Sequence, residues 1–169
     1  MRKKKRQLQE WIFCLMDMPL GPLWLFLTRR GLTALKFVGE GPVSLLADDS
    51  LPPHLMPFIE AARRELDAYF NGVPTDFADL SLAPRGTPFQ LRVWRQLRRI
   101  PYGSTISYGE LARQVRKPKA SRAVGQACAA NPIPLIIPCH RVIAADGSLG
   151  GYSAGPDRKL WLLRHEGAM

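Results

Sequence analysis

The residues best equipped for chemistry lie in one stretch, Asn131-Pro-Ile-Pro-Leu-Ile-Ile-Pro-Cys-His-Arg-Val-Ile143. Cys139, His140 and Arg141 follow one another there. A sulfur attacks as its thiolate, and adjacent positive charge favours that form, so this thiol is a candidate nucleophile. The competing reading is an inert core cysteine, which apolar surroundings make common. Pro132, Pro134 and Pro138 exclude a helix, since each lacks an N–H and fixes its φ. The Leu135-Ile136-Ile137 run between them predicts a buried, extended segment with the thiol at its end.

Two further stretches carry chemistry. From Ala120 to Ala129 almost every side chain is small, and Arg122 is the one long cation. A major-groove reader offers several long polar side chains to base edges, which this helix cannot do. Its backbone at Ser121, Ala123 and Gly125 can instead come very close to DNA while Arg122 enters the base stack. That suits recognition by shape and phosphate contacts, without sequence preference. Tight packing against the protein's own core is the alternative for the same small residues. The second stretch, Gly147-Ser-Leu-Gly-Gly-Tyr-Ser-Ala-Gly155, permits positive φ and close backbone approach to a ligand. Tyr152 and Ser153 sit inside it; an ordinary surface loop is the alternative.

The elements that must position these residues can be read from caps and periodicity. Thr87-Pro-Phe-Gln90 is a capping box with Pro at the first helical position, opening a helix to about Arg99 with Phe89, Val93, Trp94 and Leu97 inward. Ser107-Tyr-Gly-Glu110 is a second capping box, for a short helix to about Val115. Arg116-Lys-Pro-Lys119 breaks the chain before the helix of small residues. Helix, tight basic turn and helix form the helix-turn-helix pattern. Pro156 opens a last helix with Leu160, Trp161 and Leu163 apolar. Upstream, residues 11–16, 22–28 and 31–38 predict three strands, and Gly39 to Pro53 a loop. A helix follows from Pro57 to about Phe70, with Phe58, Ile59, Ala62, Leu66, Tyr69 and Phe70 as its buried stripe. Val73 to Gly86 is a proline-punctuated linker. The expected fold class is α/β (α+β). Residues 1–80 would form an N-terminal scaffold of antiparallel sheet plus helix, and 86–169 a helix-turn-helix domain. The first part shows no catalytic residue types at a telling spacing.

Composition narrows the function. The chain of 169 residues is 46% hydrophobic and 22% charged, an ordinary soluble globule. Lys plus Arg outnumber Asp plus Glu by 24 to 14, for a net charge of +10, which favours a polyanionic partner. Cys14, Cys128 and Cys139 are too few and too irregular for a disulfide framework and fit a reducing cytoplasm. With only His54, His140 and His165 and no paired ligand spacing, no metal is expected. Asp17 ends the apolar run after Trp11, so no signal peptide or membrane span is expected. Met1 to Arg6 reads as a disordered basic arm touching DNA phosphates.

The second half resembles the O6-alkylguanine-DNA alkyltransferases, also called methylated-DNA–protein-cysteine methyltransferases. The resemblance rests on Gly86-Thr-Pro-Phe-Gln90, Ile106-Ser-Tyr-Gly-Glu-Leu-Ala112, Ser121-Arg-Ala-Val-Gly125, Asn131-Pro through Pro138-Cys-His-Arg-Val142, Gly151-Tyr-Ser153 and His165-Glu-Gly167. It implies irreversible transfer, once per molecule, of the alkyl group from O6-alkylguanine, and from O4-alkylthymine, to Cys139. His140 and Glu166 match the pair that activates the thiol through a water, and Asn131 the residue tying the recognition helix to the active-site turn. Arg122 matches the arginine that replaces the flipped base. Tyr108 matches the tyrosine that turns the target nucleotide and protonates the guanine. Tyr152 and Ser153, with Val142 and Pro134, match the base pocket. No cofactor is implied; the partner is double-stranded DNA carrying the lesion, and the protein is expected to be a monomer, with cooperative binding along DNA left open. Ala154 stands where glycine is frequent, which would narrow the pocket, and Cys128 is expected to be structural. The rival readings are a non-catalytic alkylated-base-binding protein, a helix-turn-helix transcription factor and a cysteine hydrolase.

Overall fold

A computed structural model describes residues 10–15, 18–37 and 52–169. The basic arm, the ends of the first and third expected strands and most of the 39–53 loop lie outside the described residues. Bulky apolar residues interrupted by two turns give an antiparallel meander of β1 (Trp11–Leu15), β2 (Leu23–Thr28) and β3 (Gly31–Phe37). Trp11 pairs with Leu27, and Leu23 with Phe37. The turn into β3 uses Gly31 at φ 121°, where a Cβ would lie 2.1 Å from the Ser81 carbonyl oxygen. No other residue fits there. The linker is stitched down as well. Leu32 N–H donates to Ser81 O at 2.9 Å and Ala83 N–H to Leu32 O at 2.7 Å, so residues 81–83 run along β3 and satisfy part of its edge. Helix α1 (Met56–Phe70) buries Ile59, Ala62, Leu66 and Tyr69.

In the second half α2 (Pro88–Leu97) begins with both bonds of the Thr87–Gln90 capping box. The expected box at α3 (Tyr108–Gln114) is half formed. Ser107 Oγ accepts from Glu110 N–H at 3.1 Å, but the Glu110 carboxylate turns to Arg113 and Gln114. A charge-assisted bond one turn on outcompetes a neutral N–H. Arg116, at φ 59°, makes the break, and α4 (Ser121–Ala129) follows. Trp94 Nε1 on α2 donates to Ala127 O at 2.8 Å and fixes the end of α4. Helix α5 (Pro156–His165) closes the chain; it buries Lys159, Leu162 and Leu163.

The two-residue strands β4 (Ile106–Ser107) and β5 (Val142–Ile143) pair in parallel. They are too short to leave a periodic signal in sequence, yet they set the entry to α3 beside the exit from the thiol turn. One apolar core runs through both halves, from Leu35 and Leu66 to Trp94 and Ile137. Leu35 N–H of β3 also donates to Pro132 O at 2.8 Å, which joins the sheet to the thiol-bearing stretch.

Candidate active site

The Asn131–Ile137 stretch is buried, as expected, but it is coiled rather than extended. Ile137 N–H donates to Ile133 O at 2.9 Å, and Leu135 sits at φ 74°. The cause is the Asn131 side chain, which supplies partners that a strand would seek elsewhere. Its Oδ1 accepts from Ile133 N–H at 3.0 Å, and its Nδ2 donates to Ile137 O at 2.7 Å. The same Nδ2 lies 3.1 Å from Cys139 Sγ, and Asn131 N–H donates to Cys128 O at 3.2 Å. One residue therefore binds the end of α4, the coiled loop and the thiol. Cys139 to Arg141 form a short 3-10 turn whose three side chains are all buried.

His140 and Arg141 do not stabilise the thiolate by charge, as their adjacency suggests; both are committed to Glu166. His140 Nε2 lies 2.8 Å from Glu166 Oε1, while Arg141 reaches Oε2 through Nε at 2.9 Å and Oε1 through its outer nitrogen at 3.0 Å. Tyr69 hydroxyl donates to Oε1 at 2.7 Å and Gly103 N–H to Oε2 at 3.2 Å. Burial alone would raise the Glu166 pKa, but the bonds from His140 and Arg141 outweigh it and hold the carboxyl at about 2. A carboxylate only accepts, so His140 carries its hydrogen on Nε2 and keeps Nδ1 as the basic nitrogen. Nδ1 is buried with no hydrogen-bond partner among the described residues. Burial also lowers the His140 pKa, so the ring is neutral and ready to accept a proton.

Burial pushes the Cys139 thiol up to about 11, against the opposing pull of Asn131 Nδ2 and the charge of Lys159. Lys159 escaped sequence reasoning, because nothing marks a helical lysine as inward. It is fully buried, with Nζ donating to the carbonyls of Val142 (2.6 Å) and Gly151 (3.3 Å) and to that of Leu149. Lys159 is thus both the nearest compensating charge for the thiol and the pin that holds the glycine-rich loop. Its own pKa is lowered by burial, against the pull of the two thiols.

The sulfur is reached from a cleft of about 480 Å³ lined by Tyr108, Gly125, Cys128, Ala129, Cys139, Gly151, Tyr152 and Ser153. Tyr108, Tyr152, Ser153 and Gly125 thus meet the thiol at one opening, flanked by α4. Val142 and Pro134 are buried and do not line it: Val142 faces the core and offers its carbonyl to Lys159. Ala154 is buried outside the lining too, so its methyl does not narrow the cleft. Cys128, expected to be structural, does line it, with its thiol pushed up to about 12 by burial. Gly150 (φ 65°) packs against Tyr108; a Cβ there would lie 3.0 Å from the Tyr108 hydroxyl. Burial, then the nearby thiols, raise the Tyr108 pKa, which keeps that hydroxyl a proton donor. Beside the cleft, Ser121, Arg122 and Ala123 are exposed on α4, next to the exposed Arg116, Lys117 and Lys119.

Two family models match almost end to end. Residues 88–168 match the DNA-binding domain of 6-O-methylguanine DNA methyltransferase, and residues 12–84 its ribonuclease-like domain. The chain belongs to the O6-methylguanine DNA methyltransferase family. Among its relatives, the methylated-DNA–protein-cysteine methyltransferase of Methanosarcina acetivorans is 45% identical over 156 residues, covering 92% of this chain and 98% of its own. That of Mycobacterium leprae is 48% identical over 155 residues, covering 89% of each chain. The Mycobacterium tuberculosis OGT crystallised in complex with DNA superimposes with a TM-score of 0.77 at 43% identity, covering 92% of this chain and 91% of the other. The O6-methylguanine-DNA methyltransferase of Pyrococcus kodakaraensis aligns with a TM-score of 0.64 at 27% identity, over 92% and 98% of the two chains. The mixed α/β architecture is that of the family.

Proposed function

We propose that this chain repairs DNA by moving the alkyl group of O6-alkylguanine directly onto Cys139, once per molecule. The observation that carries this reading is the thiol at the floor of a cleft beside α4, backed by a neutral imidazole whose partner is a fixed carboxylate. A thiol with its pKa at about 11 needs a base at the moment of attack. His140 Nδ1 takes that proton through a bridging water, and Glu166 stabilises the imidazolium, as the third member of a triad does. The thiolate displaces guanine from the saturated alkyl carbon in line, and the Tyr108 hydroxyl protonates the departing base. A thioether has no inexpensive exit, so the protein is consumed. The lesion lies inside the duplex, so the nucleotide is turned out, at a cost of a few kcal/mol, and Arg122 fills the gap it leaves. O4-alkylthymine fits the same chemistry.

Lesion-bearing duplex in large excess tests both the reaction and its stoichiometry. Labelled methyl on the protein is expected to plateau at one per chain while guanine is restored in the DNA. Continued turnover, or tight lesion binding with no label on the protein, contradicts the reading.

A further inference from the structure

Tyr69 reaches the relay from the half of the chain that reads as scaffold. Its hydroxyl lies 2.7 Å from Glu166 Oε1, the oxygen that also accepts from His140 Nε2 at 2.8 Å. Its backbone carbonyl accepts from His165 Nε2 at 2.7 Å. Consecutive residues at the end of α5 therefore hold Tyr69 by both its main chain and its side chain. The ring is fully buried among Phe70, Phe77, Tyr102 and His165, which gives the hydroxyl one direction to point.

On the reading that Cys139 accepts the alkyl group, we propose that Tyr69 is a positioning residue of the relay: by donating to Oε1 it sets how strongly Glu166 draws on His140, and so the pH at which Cys139 is activated. An oxygen that shares its charge among several donors offers less to each. The groups facing Glu166 are Tyr69 from α1, Tyr102 and Gly103 N–H from the loop before β4, and His140 and Arg141 from the thiol turn, while the His165 ring faces the Tyr69 carbonyl. Lys159 and the Cys128 thiol complete the titratable groups around Cys139. Burial, with Glu166 beside it, pushes the Tyr69 pKa far above its ordinary value, so the hydroxyl remains a donor across the working range. Tyr102 is raised in the same direction by burial and Glu166.

Tyr69→Phe keeps the ring and deletes the donor. Oε1 then binds the His140 hydrogen harder, the imidazolium forms more readily, and the rise of methyl transfer with pH, which needs the neutral ring, moves to higher pH by roughly half a unit. Genetically encoded 3-fluorotyrosine at position 69 is a stronger donor and moves the profile to lower pH. Methyl transfer to Cys139 is followed from about pH 4 to 10, with thermal melts alongside. Midpoints falling from Phe through Tyr to fluorotyrosine support the proposal. Superimposable profiles, or a Phe variant slowed by the same factor at every pH, overturn it. If the Phe variant does not fold, the tyrosine and fluorotyrosine proteins decide by themselves. Wild-type protein that takes up no methyl at any pH refutes the alkyl-transfer reading itself, a result distinct from unmoved midpoints.

Discussion

Burial holds the Cys139 sulfur as a thiol. With its pKa at about 11, it should react slowly with iodoacetamide near neutral pH and accelerate as pH rises. Cys128, at about 12, should react more slowly still, and peptide mapping after short exposure separates the two. Lys159 is the residue on which the thiol's remaining compensation depends. Lys159→Met removes that charge and leaves three carbonyls, that of Val142 buried, without their donor. A loss of about 2–4 kcal/mol in unfolding free energy is expected, together with a rate of methyl transfer at least about tenfold lower. At this scale the sequence is legible where residue type marks a group that the fold brings to the thiol turn, as in Cys139 and Asn131. It is silent on Lys159 and Tyr69, because a lysine facing inward and a tyrosine on a buried stripe look like any others until distant elements close around them. Arg141 is the opposite case: its neighbourhood in sequence suggests a partner that its geometry replaces with Glu166.

At the scale of elements, parallel pairing of β4 with β5 brings Tyr108 to the thiol, and α4 offers its small residues and Arg122 outward. Arg122→Ala should slow repair of methylated duplex far more than reaction with free O6-benzylguanine, which needs no extrusion. Equal losses on both substrates would remove Arg122 from that role. The capping box of α2 and the apolar stripes of α1 and α2 are readable because local chemistry makes those helices. The coiled 131–138 stretch is not, because its shape comes from one asparagine side chain replacing strand partners, and its apolar run fits a buried strand equally well. The short β4–β5 pair is hidden for want of length.

For the whole molecule, α1, α5 and the thiol turn meet at a single buried carboxylate, so stability and activity share an electrostatic centre. Glu166 is depressed from 4.5 to about 2 on folding. Its contribution is therefore fully present above pH 4.5 and is lost as pH falls toward 2, on the order of 2–3 kcal/mol. His140, also depressed, adds stability above its ordinary value of 6.5 that is lost below it. Urea unfolding at a series of pH values should show both declines, and Glu166→Gln should flatten the lower one. The net charge of +10 and the exposed basic turn before α4 suit a phosphate backbone, and affinity for DNA should fall steeply with added salt.

Peptide-resolved mass spectrometry after mixing with O6-methylguanine duplex asks directly which atom receives the alkyl group. A single methyl on the peptide carrying Cys139, absent in Cys139→Ser and unaffected in Cys128→Ser, is the expected result. A methyl on Cys128, or an unmodified protein beside repaired DNA, would contradict it.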